Sequence, residues 1–581
     1  MSMKHTAPAH EHKEETQGIL REIAMALDGI FFSSIVQELQ ETVLGAKINK
    51  VTQPESDMII LHLRGQQGNQ KVLLTANSTY ARIHLTEQPR ENPLQAPLFL
   101  MVLRKHLVGS RILGIQQIQG DRLVNLHLLG VDDFGEDQPF VLSVEMMGKH
   151  SNIILYRETE GTIVDCIKHV SSLRNTYRTL LPGKEYIAPP ASGKLNPLTY
   201  SDEELLERTD VSDWDPDFFA RHFTGISKKT AHALYEGHPA KPSLSLIRKS
   251  LQELTTSTAF YITKKDGEYL DVSALPPTED HEVYTSPSLA LETYVREKDL
   301  RDRIRAKTSD LQKILQNNLQ RVRKKIELLD KSIVDSQDKD EYRILGEILS
   351  ANVYALTPGQ EKAELLNYYT GEMVTLSLDK SKSISQNIDS YYNRYNKKKR
   401  AEIMARGQKI LAQEEEDYLV SILLSLDNLE NETEIQDIRQ ELMVAGYLRF
   451  KKTASKKEKV SKPLHFKSSE GIDIYVGKNN TQNDYLTTKF AHRTDTWLHT
   501  KNIPGSHVII RGEKFGEDTL LEAANLAAYY SKASASTKVP VDYTTVKNVK
   551  KPSGAKPGMV IYSTNKTLYV DPAPSRLERQ E

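Results

Sequence analysis

The chain has 581 residues and a mass of 65.9 kDa, enough for roughly three to five domains at ~150 residues each. Its 77 Lys and Arg nearly cancel 78 Asp and Glu, so a nucleic-acid signal must be local rather than global. No run approaches ~18 uninterrupted apolar residues, which excludes a membrane-spanning helix. The single cysteine, Cys166, excludes an internal disulfide and a cysteine-based zinc cluster, and a chain this size without disulfides is expected to be cytoplasmic.

Residues 1–24 are polar, with three histidines and no apolar h-region, so they read as a disordered extension rather than a secretory signal, with Met25 an alternative start. From Ile30 to Leu44 apolar residues recur at helical spacing (Ile35, Val36, Leu39, Val43), and Gly45 stops the run. Strand-like runs follow at Met58–Leu63, Val72–Thr75, Ile112–Ile118, Leu123–Leu129, Phe140–Met147 and Asn152–Tyr156, interrupted by a helix from about Ala96 to Leu107. This predicts a mixed α+β domain over 25–188, closed by a Pro189–Gly193 linker. Residues 198–255 read as several short helices within a segment ending at 287. From 288 the texture changes: Leu315, Leu319, Val322, Ile326, Leu329 and Ile333 follow heptad steps. A second amphipathic stretch covers about Ser383–Ala445, with Tyr418, Ile422, Leu426 and Leu429 on one stripe. Gly346, Pro358-Gly359 and Gly371 break helical continuity between the two. Residues 288–450 thus predict an antiparallel coiled-coil arm with a compact insert, or two long helices packed in a globular body. Residues 451–463 form a basic linker, and 464–572 a small α+β domain with a helix near Leu520–Ser531.

Catalytic signatures are absent. No two of the 29 glycines stand two residues apart, so a G-x-G-x-x-G fingerprint cannot occur. Gly471 and Gly477-Lys478 miss phosphate-loop spacing by one residue, and Asn479 replaces the required Ser or Thr. There is no HExxH and no G-x-S-x-G. Cys166 lies in the alternating run Ile163–Ile167 and reads as a packed strand residue. His492, His499 and His507 with Asp495 fit no recognised ligand pattern. No catalytic residue, metal or cofactor is expected.

Five constellations carry binding chemistry. Gly120-Asp121-Arg122 sits between two strand-like runs. A plain tight turn explains it, but Asp121 can also accept from base amino groups while Arg122 forks onto a phosphate or guanine edge. Glu145–Asn152 reads as a second turn, with Lys149 and His150 at its tip. Phe223–Lys229 joins two short helices and can aim backbone N–H groups with Lys228 and Lys229 at a phosphate. Tyr391–Arg400 interleaves tyrosines with Arg394, Lys397, Lys398, Lys399 and Arg400, either to hold RNA or as a solvated face whose tyrosines pack on a partner helix. In the C-terminal domain Lys478, Asn479, Trp497, His499 and His507 cluster with Gly and Asn, followed by Lys547, Lys550, Lys551 and Lys556, which predicts a binding surface.

In this order, Met25–Phe31, Asp121-Arg122, Glu145–Asn152, the coiled-coil segment, Val476–Asn480 and Asp495–His499 resemble the NFACT family, in its bacterial RqcH type, also known as fibronectin-binding protein A. The resemblance covers about residues 25–572. It implies an NFACT-N domain with a fold similar to that of formamidopyrimidine-type DNA glycosylases, a helix-hairpin-helix domain, a coiled-coil middle and an NFACT-R domain. It further implies a ribosome quality-control factor that binds large ribosomal subunits carrying peptidyl-tRNA, recruits alanine tRNA and promotes template-free C-terminal alanine tailing. In that role the protein is not an enzyme, the peptidyl-transferase centre making the bonds. The residues matching Asp121 and Arg122 engage tRNA in the family, and the small RNA-binding protein RqcP is a possible partner. A fibronectin-binding surface adhesin is the alternative function. DNA glycosylase chemistry is disfavoured, because the N-terminal proline nucleophile and the zinc-finger cysteines are missing.

Overall fold

The computed structural model describes residues 27–449 and 461–580, apart from 91, 94, 133, 210–213, 239, 241, 266–267, 573–576 and 578. The expected extension 1–24 and residues 451–460 of the expected basic linker lie outside the described residues. The chain divides into two units, Met1–Asp299 and Leu300–Glu581.

In the first unit the helical spacing is realised as α1 (Gly29–Val43), which buries Ile35, Leu39 and Val43 on one stripe. Nine strands make one antiparallel sheet: β1 (Lys47–Glu55), β2 (Met58–Gly65), β3 (Gly68–Thr75), β4 (Arg82–Leu85), β5 (Arg111–Gln117), β6 (Leu123–Val131), β7 (Asp137–Glu145), β8 (Asn152–Arg157) and β9 (Ile163–Cys166). Their order is β4-β3-β2-β1-β5-β6-β7-β8-β9. Alternation puts Val124, Leu126 and Leu128 of β6 on the inner face, where α1 and α2 (Leu98–Leu107) complete the core. Because β5 to β9 form a simple meander, the β5–β6 turn, the β7–β8 turn and the segment after β9 all lie at one end of the sheet. Cys166 is 2% exposed, its thiol donates to Leu180 O (3.3 Å), and burial pushes it up to about 12.

Four short helices follow, α3 (Asp202–Arg208), α4 (Phe218–His222), α5 (Lys228–Gly237) and α6 (Leu244–Thr255), packed around Phe218, Phe219 and Phe223. Sequence patterning missed the three-stranded sheet that comes next, β10 (Phe260–Lys265), β11 (Glu268–Ser273) and β12 (His281–Tyr284). The root of the long helix α7 (Pro287–Val334) is tied to this unit by buried polar bonds. Leu85 N donates to Ser288 Oγ (3.0 Å), Thr86 bonds Glu292, and Arg82 Nη2 donates to Asp299 Oδ2 (2.8 Å) with both side chains 1% exposed. His84, packed beside that guanidinium, is held neutral, its imidazole pushed down to about 3 chiefly by burial.

In the second unit α7 continues and packs antiparallel to α9 (Ile384–Asp427), with α8 (Lys339–Ala351) and the hairpin β13 (Lys362–Asn367)–β14 (Glu372–Ser377) inserted between them. Cross-helix ion pairs give the direction, Arg323 with Glu416 (2.7 Å) and Asp330 with Lys409 (2.5 Å), and Asp338, between α7 and α8, continues the run with Lys398 (2.6 Å). Leu315, Leu319 and Val322 of the expected seam bury against Tyr418, Ile422 and Leu426. Gly346 corrects one expectation, since it does not break a helix but lies inside α8. A Cβ there would stand 3.3 Å from the Tyr392 ring, so the glycine lets α8 close onto α9. α10 (Glu432–Val444) leads to the C-terminal domain. There β15 (Leu464–Lys467), β16 (Asp473–Val476), β17 (Thr496–Thr500), β18 (Val508–Ile510), β19 (Val539–Thr545), β22 (Lys566–Val570) and β23 (Arg579–Gln580) form one sheet, beside the short pair β20 (Val549–Lys550) and β21 (Ile561–Tyr562). Helix α11 (Asn480–Tyr485) follows β16, and α12 (Glu517–Tyr529) presents Ala523, Ala524, Ala527 and Ala528, whose small side chains allow close approach to the sheet.

Replacing Arg82 by Ala should destabilise the first unit by about 3–5 kcal/mol, because it strips the guanidinium from a buried carboxylate. Chemical denaturation of the full chain, followed by intrinsic fluorescence, measures this.

Candidate nucleic-acid interface

Three glycines from three distant segments meet backbone to backbone in the first unit. A Cβ on Gly29, at the start of α1, would lie 2.3 Å from Gly120 O and 2.8 Å from Gly225 Cα. A Cβ on Gly225 would lie 2.1 Å from the same carbonyl, and Gly225 also sits at φ +72°. Only hydrogen at these positions lets the β5–β6 turn, the head of α1 and the α4–α5 turn touch. Polar bonds then fix the junction. Ile30 N donates to Gly225 O (3.3 Å), and Gln117 Nε2 donates to Gly29 O (2.6 Å) and to Asp121 O (2.9 Å). Asp28 accepts from Ser227 N (2.7 Å) and from the Thr230 hydroxyl, which pins the N-terminus of α5. Burial raises the Asp28 carboxyl, against the opposing pull of those hydrogen bonds.

A cavity of about 260 Å³ opens at this junction, lined among others by Asp28, Asp121, Arg122, Ser192, Lys194 and Thr224. The Arg122 N–H donates to Asp121 Oδ1 (2.7 Å), so the carboxylate is turned back on its own hairpin. The Glu145–Asn152 run lies next to it: Leu123 pairs with Glu145 across the sheet, and Met146 N donates to Arg122 O (2.9 Å). Glu145 itself is fully buried and takes a two-pronged bond from Arg178 (2.7 and 2.5 Å) and one from Tyr186 (3.0 Å). Its role is therefore to hold the turn, while Lys149 and His150 stand exposed in a 3-10 turn at the tip. Lys228 and Lys229 are also exposed, each with a carboxylate partner, Asp217 (3.2 Å) and Asp271 (2.5 Å) respectively. Asp28, Ser192 and Lys194 were missed as site residues from sequence. The signal available for Asp28 was its place in the run Met25–Phe31, immediately before Gly29.

The arm and the C-terminal domain divide differently from expectation. On α9 the tyrosines serve packing: Tyr391 is 8% exposed and bonds Ser377 O (2.8 Å), and Tyr392 lies against Gly346. Arg394 rests near the Tyr342 and Tyr391 rings (5.9 and 6.0 Å), and Lys398 is tied to Asp338, whereas Lys397, Lys399 and Arg400 are exposed. In the C-terminal domain the expected binding surface is corrected, because its residues build the interior. Trp497 is fully buried, with its ring 5.2 Å from His507. Asn479 is 2% exposed and caps α11 by accepting from Gln482 N (2.9 Å). His507 is 2% exposed and bonded to Thr487, and the part-buried His499 is pushed down to about 4 by desolvation. Lys478 is nearly buried against Glu434, and Asn480 donates to Glu441 Oε1 (3.1 Å), so this motif seats the domain on α10. Of the later lysines, Lys551 pairs with Asp484 (2.8 Å) and Lys556 covers the Tyr418 ring (4.3 Å), which leaves Lys547 and Lys550 exposed. Among the described residues, the grouping closest to a metal-ligand set is Asp165, Cys166 and His169. Its atoms already engage Leu180 O and each other.

With this geometry in place, two family models match end to end: "NFACT N-terminal and middle domains" over residues 28–461 and "NFACT protein RNA binding domain" over 462–563. The chain belongs to the NFACT family. It is 39% identical to the "Rqc2 homolog RqcH" of Bacillus subtilis (strain 168), over 94% of this chain and 98% of that protein. It is 36% identical to the protein of the same name from Streptococcus pneumoniae serotype 2, with the same coverage. Among solved structures, the N-terminal part of a fibronectin/fibrinogen-binding protein from Streptococcus suis is 35% identical, covering 46% of this chain and 99% of that one, with a TM-score of 0.42. In NFACT terms, Asp121-Arg122 and the Glu145 turn fall in the N-terminal model and Lys478, Trp497 and His507 in the RNA-binding model.

Gly225→Ala should cost at least about 1–3 kcal/mol from its positive φ alone and separate the three segments, lowering the thermal midpoint of the first unit. A second expectation concerns pH. Between 6.5 and about 4 the unfolded chain takes up a proton that folded His499 refuses, so the C-terminal domain loses stability as pH falls. His507, its ring 5.4 Å from that of His499 and also held well below its ordinary value by burial, acts in the same direction. Each histidine adds a slope of roughly 1.4 kcal/mol per unit, so melting curves at several pH values should show a reduced slope in His499→Gln and a flat one in His499→Gln/His507→Gln.

Proposed function

We propose that this chain acts in ribosome-associated quality control. It binds a large ribosomal subunit still carrying peptidyl-tRNA, recruits alanine tRNA, and promotes template-free alanine tailing of the nascent chain in the cytoplasm. The observation that carries this reading is the junction of Gly29, Gly120 and Gly225, which assembles Asp28, Asp121, Arg122 and Lys194 around one cavity. Two cations and two carboxylates in one recess suit RNA, with guanidinium and ammonium for phosphates and Asp121 for a base amino group. Membership in the NFACT family, the RNA-binding family match and the names of its relatives support the same reading.

In this mechanism the chain makes no covalent bond. Holding acceptor tRNA on the split subunit raises its effective concentration at the peptidyl-transferase centre without a codon. The ribosome joins the amino acid, and the charged tRNA supplies the activated ester. RqcP is a further partner in this scheme. Exposed Lys397, Lys399 and Arg400 on α9, with Lys149 and His150 on the first unit, give further phosphate contacts.

Asp121→Ala combined with Arg122→Ala should abolish tRNA co-purification while leaving association with the large subunit largely intact. Sequencing of bound RNA and gradient sedimentation measure the two arms. Unchanged tRNA recovery rejects the assignment, and a cell-surface rather than ribosomal fraction favours an adhesin.

A further inference from the structure

The segment after β9 carries a feature that the tRNA reading leaves unused. Residues 170 and 180 close a loop by paired backbone bonds, Val170 N to Leu180 O (3.0 Å) and Leu180 N to Val170 O (2.9 Å). Inside it Arg174 N and Asn175 N donate to Ser171 O (2.9 and 3.1 Å), and Tyr177 N donates to Asn175 Oδ1 (2.9 Å). Its base is fastened by Arg178, which grips Glu145 and also donates to Ile187 O (3.1 Å). The loop is therefore braced, yet at its tip Leu173 is 96% exposed and Tyr177 is 56% exposed, with exposed Arg174 between them.

The surroundings identify what such a tip meets. Through Arg178 and Glu145 the loop is fixed to the strand end that bonds Arg122, so it projects from the same end of the sheet. Of the carboxylates of that end, Glu145 is taken by Arg178 and Asp165, 3% exposed, by His169 (2.8 Å), while Asp121 accepts from the Arg122 N–H of its own turn (2.7 Å). Lys149, His150 and Arg174 remain exposed beside them. A braced apolar and aromatic tip that carries exposed Arg174, at the same end of the sheet as Lys149 and His150, fits an anionic polymer with accessible ring faces, which is unpaired nucleic acid. A closed duplex hides its bases and offers the tip nothing apolar.

We propose that the 170–180 loop is a wedge that sets Leu173 and Tyr177 against unstacked bases of the RNA held at Arg122. This rests on the RNA reading of the Arg122 site and adds a preference for single-stranded loops over helices.

The test titrates the full chain against two probes, a short RNA hairpin with an unpaired loop and a blunt RNA duplex of equal length. The Leu173→Ala/Tyr177→Ala double variant should weaken hairpin binding by roughly 5- to 100-fold and leave duplex binding unchanged, as expected for lost base stacking. Tyr177→Phe, which keeps the ring, should bind as the parent does. Both positions are solvent-exposed, and a melting curve matching the parent's confirms the fold. Equal effects on both probes, or none, overturn the wedge, as does unchanged RNA binding with lost subunit association, which would mark a protein contact. Arg122→Ala runs in parallel: if it loses RNA and the double variant does not, only the wedge fails. If neither loses RNA, the reading of the site fails with it.

Discussion

The contact on which the recess of the first unit depends is a backbone-to-backbone meeting of Gly29, Gly120 and Gly225. Side chains hold folds together over broad areas, but here the absence of two of them, at Gly29 and Gly225, lets both backbones close onto the Gly120 carbonyl. The polar bonds around it, from Asp28 to Ser227 and from Gln117 to Gly29, act on a gap already closed by shape. A recess made this way is set by backbone, which moves less than side chains. It presents Asp121 and Arg122 at a fixed distance from Lys194 and the head of α5.

A second constraint separates the charged residues that face outward from those that hold the fold. Glu145, Asp28 and Asp165 are each turned inward to a partner, while Asp121, in the β5–β6 turn, accepts from the N–H of Arg122 and lines the recess. The same division explains the C-terminal domain. Trp497, His507 and Asn479 form its interior and Lys478 seats it on α10, while Lys547 and Lys550 face solvent.

Much of this was legible in the residues. Period 3.6 in α1, period 2 in β6 and heptad steps in α7 report burial on one face, which is a local property. What stayed hidden depends on tertiary partners. β1, with Lys47, Asn49, Lys50 and Gln53, carries too much polarity to read as a strand until its neighbours are known. Gly346 looked like a breaker because its reason, the Tyr392 ring, lies 46 positions away. At the site, Asp121-Arg122 was visible as a turn motif, but Lys194 and Ser192 were not, since they join it only through the fold. The C-terminal cluster misled because Gly, Asn, Trp and His signal a surface and an intricately bonded interior equally well.

The buried thiol of Cys166 has a practical corollary. Its sulfur is sealed in the sheet, and its proton is retained far above neutrality, so alkylating and disulfide-exchange reagents find no thiolate in the native chain. As the sequence holds no second sulfhydryl, any label that attaches counts opening of this one sheet edge. The purified, unmodified protein thereby carries its own reporter of local unfolding.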